Sequence, residues 1–179
     1  MIRSLAASIY KALGWQIKGR FPKEVKKMVV IAVPHTSWHD FYMGLLFRSV
    51  VGVQINFLGK KELFKWPFGW YFRKVGGIPL DRFNKQNKVD RIAEMFQEHD
   101  VFRLALSPEG TRKKVEKWKT GFYYIALKAE VPILPITMDF GKKEHRIGDL
   151  FYPSGDTEKD LAFLTGFFEG VRGKIPANS

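Results

Sequence analysis

The chain has 179 residues, of which 45% are hydrophobic, so it can form one domain with its own core and is not a disordered protein. Thirty Lys and Arg residues against 18 Asp and Glu give a formal net charge of +12, which favours anionic partners: membrane lipids, phosphorylated ligands or nucleic acid. The chain contains no cysteine, which excludes disulfides, thiolate metal sites and a cysteine nucleophile.

The first 18 residues predict an amphipathic helix with a basic rim. This stretch is too short and too interrupted for a transmembrane span, and it lacks the apolar core and cleavage site of a signal peptide. We interpret residues 1–27 as a segment that contacts an anionic membrane surface and residues 28–179 as the main domain. The alternative is an N-terminal helix packed on its own domain. The apolar face consists of Ile2, Leu5, Ile9, Leu13 and Ile17.

An apolar, β-branched run over residues 29–33 predicts a buried strand, and residues 38–51 follow with the apolar spacing of a helix. His35 lies between them, on the turn after a strand, where α/β proteins commonly place their chemistry. Asp40 lies one turn into the helix and can fold back onto the imidazole. A carboxylate bonded to one ring nitrogen leaves the other nitrogen free to act as a base. The alternative is a polar turn with an acidic residue at a helix start.

Strands and helices alternate along the rest of the chain, which predicts a single α/β domain with a mixed, mostly parallel sheet flanked by helices. Pro132 and Pro135 cannot donate to a sheet ladder, so the last of these strands is expected at an edge or to contain a strand end. The expected strands cover residues 53–58, 76–80, 101–106 and 131–136, and the expected helices cover 66–71, 84–99, 122–129 and 156–174.

Polar and cationic residues follow several of these strands and are candidate anion ligands. Lys60 follows the second strand, and Arg82 follows the third, where its guanidinium can form a forked pair with phosphate. The turn over residues 107–112 exposes Glu109 and backbone amides, with Arg112 nearby. The alternatives are a solvated lysine at Lys60 and a simple ion pair between Arg82 and Asp81.

Four sequence blocks together resemble the glycerolipid acyltransferases. Residues 35–40 resemble the H-x-x-x-x-D block of that family, and residues 76–82, 107–112 and 131–136 resemble its second, third and fourth blocks. Lys60 matches a lysine that the family places between the first two. Each block alone is a weak signal, whereas four blocks in the family's order are a specific one.

The resemblance implies an O-acyltransferase of phospholipid biosynthesis that uses no cofactor. It would move a fatty acyl group from a thioester, on acyl carrier protein or coenzyme A, to the hydroxyl of a lysophospholipid such as 1-acyl-glycerol-3-phosphate. His35 would be the general base, oriented by Asp40. The acceptor phosphate would be bound by Lys60, Arg82, Glu109, Gly110, Thr111 and Arg112, and the acyl-donor region would be Val131, Pro132, Ile133 and Pro135.

Other interpretations remain open from the sequence. The acceptor could be another lyso-lipid, such as a lyso-aminolipid or glycolipid, or the chain could be a non-catalytic basic lipid-binding module. No nucleic-acid partner is expected, because the sequence carries no recognised RNA- or DNA-binding signature. His35 and His39 form a His-x-x-x-His pair, but the glutamate and third ligand of a zinc site are missing, so no metal is expected. The expected location is cytoplasmic, peripheral on the inner face of the cell membrane.

Overall fold

The computed structural model describes residues 3–80 and 88–179, in which helices and strands alternate as the sequence predicts. Short 3-10 helices cover Lys61–Phe64 and Pro176–Asn178. The strands of these ranges are β1 (Gln16–Lys18), β2 (Lys27–Val33), β3 (Asn56–Lys60), β4 (Gly77–Leu80), β5 (Phe102–Leu106), β6 (Ile133–Thr137) and β7 (Glu144–Arg146). The α-helices are α1 (Arg3–Ala12), α2 (His39–Val51), α3 (Gly69–Lys74), α4 (Lys88–Glu98), α5 (Gly121–Lys128) and α6 (Thr157–Gly166).

A five-stranded sheet with the order β4-β3-β5-β2-β6 forms the centre of the molecule. All of its strand pairs are parallel, and within the described ranges antiparallel pairing occurs only as isolated bridges. The predicted α/β class with a mostly parallel sheet is therefore confirmed. The prediction from Pro132 and Pro135 is also confirmed, because β6 is the edge strand of this sheet.

Both faces of the sheet are covered, as expected for a parallel sheet. Successive side chains of β2 point to opposite faces: Val29 and Ile31 pack with the residues of α4 and α5, whereas Met28 and Val30 pack with those of α2. All four are buried. Burial on both sides explains why this strand reads as a continuous apolar run rather than as an alternating pattern.

The N-terminal helix is shorter than predicted. It ends at Ala12, and Gly14 then adopts a φ of 77°, the left-handed conformation that terminates helices and that glycine adopts without strain. The chain continues into β1, which pairs in parallel with β7. Ala6 and Tyr10 are buried where α1 packs on α2, so this segment is part of the folded domain and its removal would expose core residues.

Other boundaries also differ from prediction, and the helix expected over residues 66–71 forms at Gly69–Lys74. The second strand forms at Asn56–Lys60 instead of residues 53–58, which makes Lys60 its last residue. The last helix ends at Gly166, eight residues before the predicted end at Lys174. The helix predicted from residue 84 is described from Lys88 onwards, and residues 84–87 lie outside the described ranges.

Candidate active site

The candidate site lies at the carboxyl edge of the five-stranded sheet. Because β2, β3 and β5 are parallel neighbours, the residues that follow them meet at one edge. This topology brings His35 (after β2), Lys60 (the last residue of β3) and the turn of residues 107–112 (after β5) to the same edge. Arg82 lies outside the described residues.

A histidine–carboxylate pair occupies the turn between β2 and α2. The Nδ1 atom of His35 lies 3.1 Å from Oδ2 of Asp40. The same Oδ2 accepts hydrogen bonds of 2.7 Å from the backbone amides of Thr36 and Ser37, and Asp40 is buried in the first turn of α2. The carboxylate therefore does fold back onto the imidazole, as the sequence predicts. With Nδ1 facing the Asp40 carboxylate, Nε2 of His35 is the nitrogen left to accept a proton, and 29% of the side chain is exposed.

Glu109 holds the turn that carries His35, a contact that the sequence did not predict. Its Oε2 atom accepts hydrogen bonds from the His35 amide at 2.7 Å and from the Ser107 hydroxyl at 3.1 Å. Burial raises the pKa of the Glu109 carboxyl, and the two hydrogen bonds oppose this shift. A carboxylate after β5 thus fixes the backbone after β2. The pairing of β2 with β5 was the only signal that could have revealed this contact, and it is not visible in the sequence.

The rest of the turn after β5 is open to solvent. Gly110 is exposed with a φ of 62°, and a Cβ atom there would lie only 2.8 Å from Nζ of Lys119. Thr111 is half-buried and its hydroxyl accepts a 3.3 Å hydrogen bond from the amide of Lys113. Arg112 is exposed. Glycine at position 110 therefore permits both the left-handed backbone and the approach of the lysine side chain.

The acyl-donor region implied by the resemblance lies in the core of the sheet, and its role stays a prediction. Val131, Pro132, Ile133 and Pro135 are all buried. Ile133 pairs with Val29 at the start of β2, so the first three lie towards the amino edge of the sheet, whereas His35 follows the carboxyl end. Val29, at the level of Ile133, is four residues before Val33, the last residue of β2, a distance of about 13 Å along the strand. These residues support β6 within the core.

His39 has partners of its own. Its Nδ1 atom lies 2.9 Å from the Ser37 hydroxyl, and its ring stacks on Trp38 with centroids 3.9 Å apart. Across residues 3–80 and 88–179, no group of three His, Asp or Glu side chains is arranged to hold a metal ion. The described part of the chain thus provides no third ligand for the two histidines.

A cationic cavity of about 400 Å³ lies at the amino ends of β3 and β4, at the opposite edge of the sheet from His35. Its arginines bind backbone carbonyls. Nη1 of Arg48 donates to the carbonyls of Ile55 and Val75, and Nε of Arg3 donates to that of Val50 at the end of α2. These hydrogen bonds hold the loops around α2, so the arginines have a structural role.

In the part of the chain that the structure describes, none of the helices combines the length and the apolar character needed to cross a bilayer. The fold and the site together define a class: α/β proteins with a histidine–carboxylate pair at the carboxyl edge of a parallel sheet, suited to general-base chemistry. Residues 15–139 match the protein-family model described as Acyltransferase. The match covers well over half of the chain, so the protein belongs to the acyltransferase family, which confirms the resemblance of the four blocks.

Individual relatives are similar to this chain at moderate identity. The 1-acyl-sn-glycerol-3-phosphate acyltransferase of Streptococcus pneumoniae is 29% identical over 132 residues, covering 69% of this chain and 48% of the relative. The enzyme of the same name from Haemophilus influenzae is 29% identical over 135 residues, covering 72% and 55%. The chain therefore spans about half the length of these curated relatives.

A solved structure supports the fold. The crystal structure of the 1-acyl-sn-glycerophosphate (LPA) acyltransferase PlsC from Thermotoga maritima matches with a TM-score of 0.64 at 21% identity, covering 92% of this chain and 74% of that one. At this identity the likeness establishes the architecture alone. The chemistry has to be argued from the site.

Proposed function

We propose that this protein is an O-acyltransferase that moves a fatty acyl group from a thioester, on acyl carrier protein or coenzyme A, to the hydroxyl of a lysophospholipid. The preferred acceptor is 1-acyl-glycerol-3-phosphate, the substrate type in the names of its relatives. The observation that carries the proposal is the His35–Asp40 pair, 3.1 Å apart, on a turn fixed by three backbone amide hydrogen bonds to carboxylates.

Acyl transfer to a hydroxyl needs a base in the position that His35 occupies. Nε2 takes the proton of the acceptor hydroxyl while its oxygen attacks the thioester carbonyl. The thioester C–S bond then breaks, and the imidazolium returns the proton to the departing thiolate. Asp40 stabilises the imidazolium between these two steps. Backbone amides are the expected donors to the tetrahedral oxyanion.

The main alternatives are a different lyso-lipid acceptor and a lipid-binding module without catalysis. A binding module would need the basic surface, but it would not need a buried carboxylate 3.1 Å from a partly exposed imidazole. The His35–Asp40 pair therefore favours an enzyme. The test is thioester consumption by purified protein in detergent, with lyso-lipids and glycerol-3-phosphate as acceptors and both donors, and with products identified by mass spectrometry. No acyl transfer to any lyso-lipid would reject the proposal.

The proposed phosphate ligands lead to a prediction about the acceptor. Arg112→Ala and Arg82→Ala should raise KM for a phosphate-bearing acceptor about 10-fold or more, because a hydrogen bond to a charged group contributes about 1.5–3 kcal/mol. KM for the thioester donor should stay the same. Lys114→Ala, at an exposed position beside Arg112, is the matched control. If both arginine variants handle the acceptor like wild type, these residues do not bind its phosphate.

We also propose that the protein acts as a peripheral protein on the cytoplasmic face of the cell membrane, with α1 in contact with the lipid. Leu5 and Ile9 are exposed on this helix and Leu13 is exposed just after it, although all three are apolar. Leu5→Ser combined with Ile9→Ser should therefore weaken binding to anionic vesicles and leave the melting temperature unchanged, because neither residue is in the core. Vesicle sedimentation and thermal unfolding measure the two effects. If this variant binds the vesicles as tightly as wild type does, α1 does not contact the membrane.

A further inference from the structure

A set of large apolar side chains is exposed between β3 and β4. Trp66, Phe68 and Trp70 are 93%, 67% and 66% exposed, and Leu63 is exposed beside them. We call these four residues the aromatic face. Single exposed apolar residues are ordinary, whereas four large ones within eight residues of the chain indicate a binding surface.

The aromatic face is displayed by a segment that is itself well held. Phe64 is buried, and its ring lies so close to the strands that a Cβ atom at Gly59 or Gly77 would come within 2.9 Å or 3.0 Å of it. Arg73 donates a 3.1 Å hydrogen bond to the Phe64 carbonyl. One buried ring thus fixes the segment, and the exposed rings contribute little to its packing.

The aromatic face is continuous with the candidate active site. Trp38 and Tyr42, both exposed, lie just after the turn that carries His35 and are joined to the aromatic face through ring contacts. These contacts have centroid distances of 5.3 Å (Trp38–Tyr42), 5.5 Å (Tyr42–Phe41), 6.2 Å (Phe41–Phe72), 5.6 Å (Phe72–Tyr71) and 6.2 Å (Tyr71–Trp70). An aromatic path of ring contacts, which passes through the half-buried Phe41, Phe72 and Tyr71, therefore links Trp70 to the edge of the catalytic turn.

The charge around the aromatic face indicates the kind of partner. Residues 60–66 contain three exposed lysines, Lys60, Lys61 and Lys65, and one acid, Glu62. Lysine is depleted at protein–protein interfaces, whereas each Lys or Arg near an anionic membrane contributes about 1 kcal/mol to binding. Tryptophan with neighbouring lysines is the composition of the membrane–water interface.

We infer that the aromatic face is a second membrane-contact surface, separate from α1, whose indole and phenyl rings enter the headgroup region of an anionic lipid bilayer. The lysines around it pair with lipid phosphates. This contact holds the edge of the sheet that carries His35 against the membrane, so a lyso-lipid reaches the site along the aromatic path without leaving the bilayer. The delivery of a lyso-lipid rests on the proposed function, whereas the membrane contact does not.

The test uses the full chain with Trp66→Ser, Phe68→Ser and Trp70→Ser combined. Phe163→Ser is the matched control, because Phe163 is 68% exposed but lies on α6. Binding is measured by sedimentation with vesicles of phosphatidylcholine alone and of phosphatidylcholine mixed with phosphatidylglycerol. Quenching of tryptophan fluorescence by brominated lipids reports whether the rings enter the bilayer, and thermal unfolding checks the fold.

The triple variant should bind the mixed vesicles about 10-fold more weakly or worse, and lipid quenching should fall, whereas Phe163→Ser should bind like wild type. Wild-type binding should also weaken as salt is added. Unchanged binding by the triple variant overturns the inference, as does a wild-type dimer that this variant dissociates, because a second copy would then cover the surface. Acyl transfer is measured separately in detergent micelles. Absence of acyl transfer would reject the proposed function but would not affect the conclusion drawn from vesicle binding.

Discussion

Replacing His35 by alanine is expected to lower kcat for acyl transfer by about 100- to 10,000-fold, the usual contribution of a general base. The reason is specific to this geometry. Nδ1 of His35 lies 3.1 Å from Oδ2 of Asp40, and the His35 backbone is fixed by Glu109, so Nε2 is held in place before the acceptor binds. Because the side chain is partly exposed, the substitution should not unfold the protein. Acyl transfer under saturating donor and acceptor measures the effect.

Asp40→Asn should cause a loss of similar size for a different reason. Oδ2 of Asp40 accepts two backbone hydrogen bonds and lies 3.1 Å from Nδ1 of His35, and Oδ1 is buried with no hydrogen-bond partner among the described residues. An asparagine keeps the shape of the side chain, but it cannot stabilise the imidazolium by charge, and its amide group would be buried without an acceptor. Circular dichroism should show that the variant is folded, and the acyl-transfer assay should show little activity.

His39→Ala provides the control for both variants. Its side chain bonds to Ser37 and stacks on Trp38, which places it outside the His35–Asp40 pair, so most activity should remain. Chelators should leave the wild-type rate unchanged. If His39→Ala is as inactive as His35→Ala and zinc restores a stripped enzyme, then the two histidines bind a metal and the general-base assignment is wrong.

The catalytic pair could be predicted because its geometry is local. An apolar run, a turn with His35 and a helix that begins near Asp40 lie within 12 residues, and short-range rules cover such a stretch. The α/β class followed from the alternation of strands and helices. The end of α1 was missed because it depends on the backbone conformation of one glycine, Gly14, within an otherwise continuous amphipathic pattern.

The long-range parts of the site could not be predicted. The hydrogen bond from the His35 amide to Glu109 joins residues 74 positions apart and requires β2 and β5 to be neighbours, which depends on sheet order. The level of the predicted donor region within the sheet could not be predicted for a related reason. A sequence block shows that Val131 and Ile133 belong to a strand, but only the register shows that they lie at the end remote from His35.

A buried histidine leads to the second large prediction, a loss of stability in acid. His145 is buried on β7, between the rings of Trp15 and Phe47 at centroid distances of 4.8 Å and 4.9 Å. Nδ1 lies 2.5 Å from the Tyr10 hydroxyl, whereas Nε2 is buried with no hydrogen-bond partner in the described part of the chain. Desolvation in these apolar surroundings lowers the pKa of His145 from 6.5 to about 3.

Because the folded state resists protonation, the unfolded state binds more protons at any pH between these two values. The free energy of unfolding therefore falls as pH drops below 6.5 and continues to fall until about pH 3, where the folded state also becomes protonated. At about 1.4 kcal/mol per pH unit, His145 alone should cost about 3 kcal/mol between pH 7 and pH 4. That loss is a large fraction of the stability of an ordinary domain.

His145→Gln removes the titrating group while keeping a side-chain oxygen that can accept the Tyr10 hydroxyl. Urea unfolding at several pH values should show a shallower loss of stability below pH 6.5 for this variant than for wild type, with the two curves converging as pH falls. His99→Gln should follow wild type, since His99 is exposed although its ring stacks on Phe102 with centroids 5.0 Å apart. If wild type and His145→Gln lose stability in parallel between pH 6.5 and pH 4, His145 is not the buried neutral group that makes the fold sensitive to acid.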